Sequence, residues 1–166
     1  MKGKTQHSQR ETRIILDNIR STHNVGSIFR TAETVGVSHI YCLGTTPAPV
    51  DRFGRNRKDI AKVSLGAEQL VPWEYVGQEQ SAGLIRKLKK EGFQLIALEQ
   101  DGRSVDYKKV VVNGKAVIIL GNEVGGVSKE LLESADVIAE IPLKGKKESL
   151  NVSVAAGVAL FCLLGD

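Results

Sequence analysis

The chain has 166 residues, a net charge of +4 and a sequence pI near 9.1, with 42% apolar and 25% charged residues. This size fits one domain, residues 1–166, with a core that needs no staples, and the mild basicity permits a nucleic-acid partner without requiring one. No run is long and apolar enough to span a membrane, the polar opening Met1–His7 has no secretory apolar stretch, and Cys42 and Cys162 read as reduced core residues of a cytoplasmic protein.

Residues 1–11 are polar and read as a flexible arm. Lys2, Lys4, Arg10 and Arg13 put positive charge in and beside it, as a solvated tail or an RNA-touching one would have. Arg13–Ile19 predicts a strand. Val25, Ile28, Phe29, Ala32 and Val35 then recur at helical spacing and predict an amphipathic helix over 25–36. Asn24 suits its N-cap and Gly36 its C-terminal end, and Ser27, Arg30 and Thr34 share the face opposite the apolar stripe. A strand leading into a capped helix offers free backbone N–H groups to an anion.

Ser38–Leu43 is the next strand. Residues 44–63 read as irregular, and within them Arg52, Arg55, Arg57 and Lys58 surround Phe53. Basic residues interleaved with an aromatic suit a phosphate backbone and an unstacked base; a solvated charged loop is the alternative. Ile60–Leu70 predicts a short helix with a turn at Gly66, and Val71–Val76 a short edge strand after Pro72. Ser81 is expected to cap a helix through Lys90, with Leu84, Ile85 and Leu88 inward and Gly92 ending it.

Phe93–Leu98 and Ala116–Leu120 are buried strands, and Tyr107–Val112 a minor one. Ser128 caps a short helix to Ser134, Val137–Ile141 is the last strand and Asn151–Leu164 the last helix. Alternating helices and continuous apolar strands predict an α/β fold, a parallel sheet flanked by helices. In such sheets ligands bind beyond the carboxyl ends of the strands, where the polar, glycine-rich stretches after Leu98, Leu120 and Ile141 fall. The last helix has almost no polar face, which predicts burial all round, inside the domain, in a dimer interface or both.

Neither GxxxxGK[ST] nor GxGxxG is present, and His7, His23 and His39 do not cluster. No metal site and no histidine-based triad is expected, and His23 reads as a polar turn residue. Glycine turns, caps and one well-placed arginine suit group transfer from a bound cofactor, with the protein mainly positioning the reactants.

Three stretches together resemble the SpoU/TrmH-type family of RNA 2′-O-ribose methyltransferases within the SPOUT superfamily. Asn24-Val-Gly-Ser-Ile-Phe-Arg-Thr-Ala32 is similar to the family's N-x-G-x-x-x-R-T-A element. Ile119-Leu-Gly-Asn-Glu-Val-Gly-Gly126 is similar to its G-N-E-x-x-G element. Ile141-Pro-Leu143, followed by Ser149-Leu-Asn-Val-Ser153, is similar to its I-P-M…S-L-N-V-S element, with Leu143 in place of the methionine. They occur in family order and cover essentially the whole chain.

The resemblance implies a C-terminal deep trefoil knot, a homodimer through the C-terminal helix, and S-adenosyl-L-methionine as cofactor. By matching position, Leu98, Glu99, Gly121, Asn122, Ile141, Leu143, Ser149 and Leu150 would hold it. Arg30 maps onto the catalytic arginine, and Asn24, Glu123, Ser149 and Asn151 onto its supporting polar residues. Glu123 is expected to orient Arg30 across the site; a plain surface ion pair of Arg30 with Glu33 or Glu123 is the alternative. The implied substrate is tRNA or rRNA, recognised through Arg52–Lys62, the arm, the Lys144–Lys147 loop and the dimer surface. Two other readings compete: an inactive RNA-binding module of the same fold, and an enzyme that methylates a base.

Overall fold

Short, apolar strands carry this fold, and their parallel pairing buries them on both faces. The computed structural model describes residues 10–165, so the arm's Lys2 and Lys4 lie outside the described residues. Strands β1 (Glu11–Asp17), β2 (His39–Leu43), β3 (Trp73–Val76), β4 (Gln94–Leu98), β5 (Val105–Asp106), β6 (Lys115–Gly121) and β7 (Val137–Glu140) form one sheet. Its order is β3-β2-β1-β6-β4-β7-β5, and every neighbouring pair is parallel. Along β1, Ile14 and Leu16 enter one core and Ile15 the other, the period-two alternation of a strand.

Helices α1 (Thr22–Val35), α2 (Lys58–Ser64), α3 (Ala67–Leu70) and α6 (Val152–Leu164) pack on one face. Helices α4 (Ser81–Lys90) and α5 (Lys129–Ser134) cover the other. The order of strands across the sheet reverses between β1 and β6, which lie side by side although 97 residues separate the end of one from the start of the other. Their carboxyl-terminal loops therefore meet. Among the described residues no helix is long and apolar enough to cross a membrane.

Several local expectations are corrected. The first strand begins two residues early, because Glu11 donates its N–H to Gly114 and pairs opposite Lys115; that end of the arm is in the sheet. Helix α1 starts at Thr22, and its N-cap is Ser21, whose hydroxyl accepts the Asn24 N–H at 3.1 Å. Asn24 is thus inside the first turn and buried. Lys58 opens α2, so part of the region expected to be irregular is helical. Ser81 is the first residue of α4, and its hydroxyl bonds Glu130 instead of capping. Ser128 occupies the N-cap position of α5 without a side-chain cap bond.

No strand forms over 107–112. The Asp106 carboxylate accepts the Lys108 N–H and turns the chain into a short 3-10 turn after a two-residue β5. Within the single chain, helix α6 is buried on one side only: Ala156, Ala159, Leu160 and Leu163 face the core, while Val154, Val158, Phe161 and Cys162 are exposed. Cys162 is therefore a surface residue. Cys42 is buried, and burial pushes its thiol up to about 12.

Gly26, the glycine of the first motif, is explained by packing. Helix α1 lies so close to α2 that a Cβ at Gly26 would stand 2.9 Å from the Ile60 carbonyl oxygen and 2.9 Å from the Val63 Cβ. Backbone cannot step aside as a flexible side chain can. Gly26→Ala is expected to destabilise the fold by about 1–3 kcal/mol, the usual cost of overpacking, read as a lower urea midpoint with an unchanged slope.

Candidate active site

The loops after β1 and β6 are tied together by carboxylate and amide side chains. Asp17, at the buried end of β1, accepts the Ser128 N–H at 2.7 Å and the Asn18 side-chain amide at 2.8 Å. Asn18 has φ 55°, a left-handed conformation that asparagine tolerates. Its carbonyl accepts the Asn122 amide at 2.7 Å, and the Asn122 side-chain oxygen accepts the Val124 and Gly125 N–H groups, each at 2.9 Å. Asn122 and Gly126 exchange both backbone hydrogen bonds, closing a tight turn.

This turn leaves no room for side chains at the motif glycines. A Cβ on Gly121 would lie 2.2 Å from the Val127 nitrogen, and one on Gly126, at φ +70°, would lie 2.0 Å from Glu99 Oε2. The same Glu99 oxygen accepts the Val127 N–H at 2.8 Å. The loop after β4 therefore clamps the loop after β6.

A side-chain relay runs outward from this turn. The Glu123 carboxylate accepts the Arg20 N–H at 3.1 Å, the Ser21 N–H at 3.1 Å and Asn24 Nδ2 at 3.1 Å. A carboxylate only accepts, so Asn24 must present its amide nitrogen and has its oxygen left over. That oxygen accepts Asn151 Nδ2 at 3.2 Å. Asn151 in turn has its oxygen free, and it caps α6 by accepting the Ser153 and Val154 N–H groups. One direction of hydrogen bonding thus joins the three motif segments, from a carboxylate to a helix N-terminus. Burial works against the charge on Glu123, but the bonds from Arg20, Asn24 and Ser21 outweigh it and hold its carboxyl below the ordinary glutamate value.

Beside the relay, a cavity of about 160 Å³ opens at the carboxyl ends of β4 and β7. Leu98, Glu99, Ile141, Leu143, Ser149 and Leu150 line it, as do Glu140, Glu148 and Ala155, which the sequence reading did not single out. The acids flanking Ile141 and Ser149 were a readable signal for a cationic ligand. Gly121 and Asn122 lie outside this wall: Gly121 is the buried end of β6, and the Asn122 amide is engaged within its turn. A larger cavity, about 540 Å³, sits at the β7–β5 edge around Arg103, Lys109 and Asp136 and contains none of the motif residues.

Arg30 is exposed on α1 and has no ion pair among the described residues. Glu123 does not orient it, being engaged by Asn24 and backbone, and Glu33 does not pair with it. Helices α1 and α6 run side by side in the same sense. Asn24 meets Asn151, and a Cβ on Gly157 would stand 4.0 Å from Thr31 Cγ2. At about 100° per residue, Arg30 lies roughly a quarter-turn to a third of a turn round α1 from this contact face. Away from it, the Arg52 and Arg55 guanidiniums lie 4.8 and 5.0 Å from the centre of the Phe53 ring. Lys58 is exposed at the start of α2, and Arg57 is half-buried at its N-cap.

Comparison with known proteins follows the same residues. The family model described as "SpoU rRNA Methylase family" matches residues 11–161. The chain is 32% identical over 153 residues to a tRNA (guanosine(18)-2'-O)-methyltransferase of Aquifex aeolicus, covering 92% of this chain and 68% of that protein. It is 34% identical over 147 residues to the 23S rRNA (guanosine-2'-O-)-methyltransferase RlmB of Neisseria meningitidis, covering 89% and 55% respectively. The crystal structure of an AdoMet-bound rRNA methyltransferase from Sinorhizobium meliloti superposes with a TM-score of 0.81 at 32% identity, over 94% of this chain and 57% of that one. The chain thus spans between about half and two-thirds of the length of these relatives.

The depressed Glu123 carboxyl gives the relay a pH signature. A folded value below the unfolded one contributes stability that is full above the unfolded value, about 4.3 for glutamate, and is lost as pH falls through the folded value. In Glu123→Gln this contribution is missing at neutral pH. The stability difference between wild type and Glu123→Gln should therefore be constant above about pH 5.5 and shrink on acidification below about 4.5. Urea unfolding across that range checks it; a difference that grows on acidification contradicts it.

Proposed function

The chain belongs to the SpoU rRNA methylase family, and from that membership we propose that it transfers a methyl group from S-adenosyl-L-methionine to a ribose 2′-hydroxyl of tRNA or rRNA. The observation that carries the reading is the Glu123–Asn24–Asn151 relay, which ties all three family motifs into one hydrogen-bonded unit beside a cavity. The relatives named for 2′-O-methylation of guanosine in tRNA and in 23S rRNA support the reaction class and leave both substrates open.

The cavity wall suits the cofactor. Leu98, Ile141, Leu143 and Leu150 offer apolar surface for a flat base, and Glu99, Glu140 and Glu148 supply negative charge for a cation. When bound, S-adenosylmethionine supplies an electrophilic methyl on a positively charged sulfur. Methylation of the ribose 2′-oxygen would release the hydroxyl proton to water, and the charge developing on that oxygen needs stabilisation. Arg30 supplies that stabilisation and holds the neighbouring phosphate. Guanidinium groups keep their proton at any pH at which proteins stay folded, so its part is charge and geometry. Ser149 sits on the cavity wall, and Asn24, Glu123 and Asn151 fix α1, and with it Arg30, against α6.

The active form in this reading is a single-domain protomer paired with a second copy. Val154, Val158 and Phe161 make an apolar stripe on α6, 52%, 39% and 56% exposed. A stripe of that kind is covered in a homodimer, which in this reading brings Arg30 of one copy toward the cavity of the other. The family's deep trefoil knot belongs to the same reading. Segment 141–151 leads from β7 into α6, and α6 returns to lie along α1, which supports a threaded C-terminal part.

Nucleoside mass spectrometry tests the reaction. RNA from a deletion strain is expected to lack one ribose 2′-O-methylation, restored by the purified protein with S-adenosylmethionine. A lost base methylation with every ribose methylation intact overturns the reading. Arg30→Ala should lower the transfer rate by about 10²-fold or more, while calorimetry gives the wild-type affinity for S-adenosylmethionine. Phe161→Glu should shift the protein to monomer in sedimentation, with loss of activity in proportion to the monomer formed.

A further inference from the structure

Under the loop that follows β2 lies another cavity, of about 450 Å³, which the proposed reaction does not use. One wall is the segment from Thr45 to Arg52; the other is edge strand β3, through Trp73 and Tyr75. These two rings are two residues apart on one strand and share a face. Trp73 leans on the core, and Tyr75 is 56% exposed.

Arg57 also lines this cavity, and its Nε is buried with no hydrogen-bond partner. Buried polar groups in folded proteins are hydrogen-bonded, and a guanidinium has donors only, in a fork that matches phosphate. A half-buried guanidinium with an unpaired donor, on one cavity wall with two aromatic rings, points to a ligand with both an anionic group and a flat ring.

The rim of the cavity is built, not loose. Val50 and Asn56 bridge across the turn. The Asp51 carboxylate accepts the Phe53 N–H at 2.8 Å and the Arg55 N–H at 3.0 Å, and pairs with Arg55 Nε at 2.9 Å. These bonds hold the Asp51 carboxyl below its ordinary range. Phe53, 67% exposed between the Arg52 and Arg55 guanidiniums, stands outside as a second stacking surface.

The cavity lies at β2–β3 and the cofactor cavity at β4–β7, four strand spacings or about 20 Å apart. It is too far away to hold the methyl acceptor itself. We propose that this cavity is a subsite for an unstacked nucleotide of the substrate RNA, several nucleotides along the strand from the acceptor. Its base stacks on Trp73 and Tyr75, its phosphate meets the Arg57 guanidinium, and Arg52 follows the chain outward. The proposal rests on the RNA reading above.

Trp73 is the single tryptophan of the chain, so its fluorescence reports the site directly. A fluorescein-labelled, single-stranded oligoribonucleotide of mixed sequence is titrated into the full chain at low salt, with anisotropy and tryptophan emission read together. The expected result is saturable quenching of Trp73 that follows the anisotropy curve. Arg57→Ala and, separately, the surface variant Tyr75→Ala should each weaken binding at least about tenfold. Affinity for S-adenosylmethionine should not change in either variant. RNA binding that leaves Trp73 unquenched, or that both variants retain, overturns the subsite and leaves the RNA reading standing. A wild-type protein that gives no anisotropy change overturns the RNA reading and the subsite with it.

Discussion

The loops at the carboxyl ends of a parallel sheet carry backbone N–H groups that no strand can satisfy, and a buried N–H without a partner is costly. Here three carboxylates meet that demand. Asp17 at the end of β1 takes the Ser128 N–H, Glu99 after β4 takes the Val127 N–H, and Glu123 after β6 takes the N–H groups of Arg20 and Ser21. Each acid comes from one loop and serves another. The loops after β1, β4 and β6 are thus cross-tied, although they are far apart in sequence. Everything placed on them, from the α1 N-terminus to the Glu99 wall of the cavity, depends on these ties.

The rigid interior contrasts with what the protein exposes. Arg30, the basic turn around Phe53 and the α6 stripe all face outward, and Arg30 makes no ion pair among the described residues. Groups without intramolecular partners on a well-tied frame are available to ligands at little cost in reorganisation. The side chains that position are buried or hydrogen-bonded, while Arg30, Phe53, Tyr75 and the α6 stripe, proposed to touch RNA or a second copy, are exposed. This division lets the fold hold the cofactor cavity and the first helix in register while leaving the recognition surface open.

Much of this arrangement was legible in the residues. Continuous apolar runs gave the parallel sheet, and Asn151, directly before the apolar run, was readable as a cap of the last helix. At α1 two capping residue types compete, Ser21 and Asn24, and the local pattern cannot rank them. Tertiary structure decides: Glu123, ninety-nine residues away, takes the Asn24 amide, and Ser21 becomes the cap. Hydropathy leaves a helix buried in its own domain and one with a face for a second copy both open, so which residues form the Val154–Phe161 stripe, and that Cys162 is exposed, needed coordinates. The cavity under the β2–β3 loop needed coordinates, because it is formed by residues on two segments that no local period links.

The relay also constrains what kind of chemistry the site can perform. A general base must offer a lone pair and a value near the working pH. Glu123 is ill suited to that role: the bonds from Arg20, Ser21 and Asn24 favour its charged form and hold its carboxyl below the ordinary range. Asn24 and Asn151 are amides with no proton to give or take under these conditions. The polar residues shared by the three motifs therefore form a scaffold, not a proton-transfer chain. Under the proposed reaction, rate acceleration has to come from placing the 2′-oxygen in line with the methyl and from the positive charge of Arg30 beside it. A site of that design is sensitive to displacement of α1 by a fraction of an ångström, which is the displacement the Glu123–Asn24–Asn151 bonds and the tight Gly26 packing on α2 oppose.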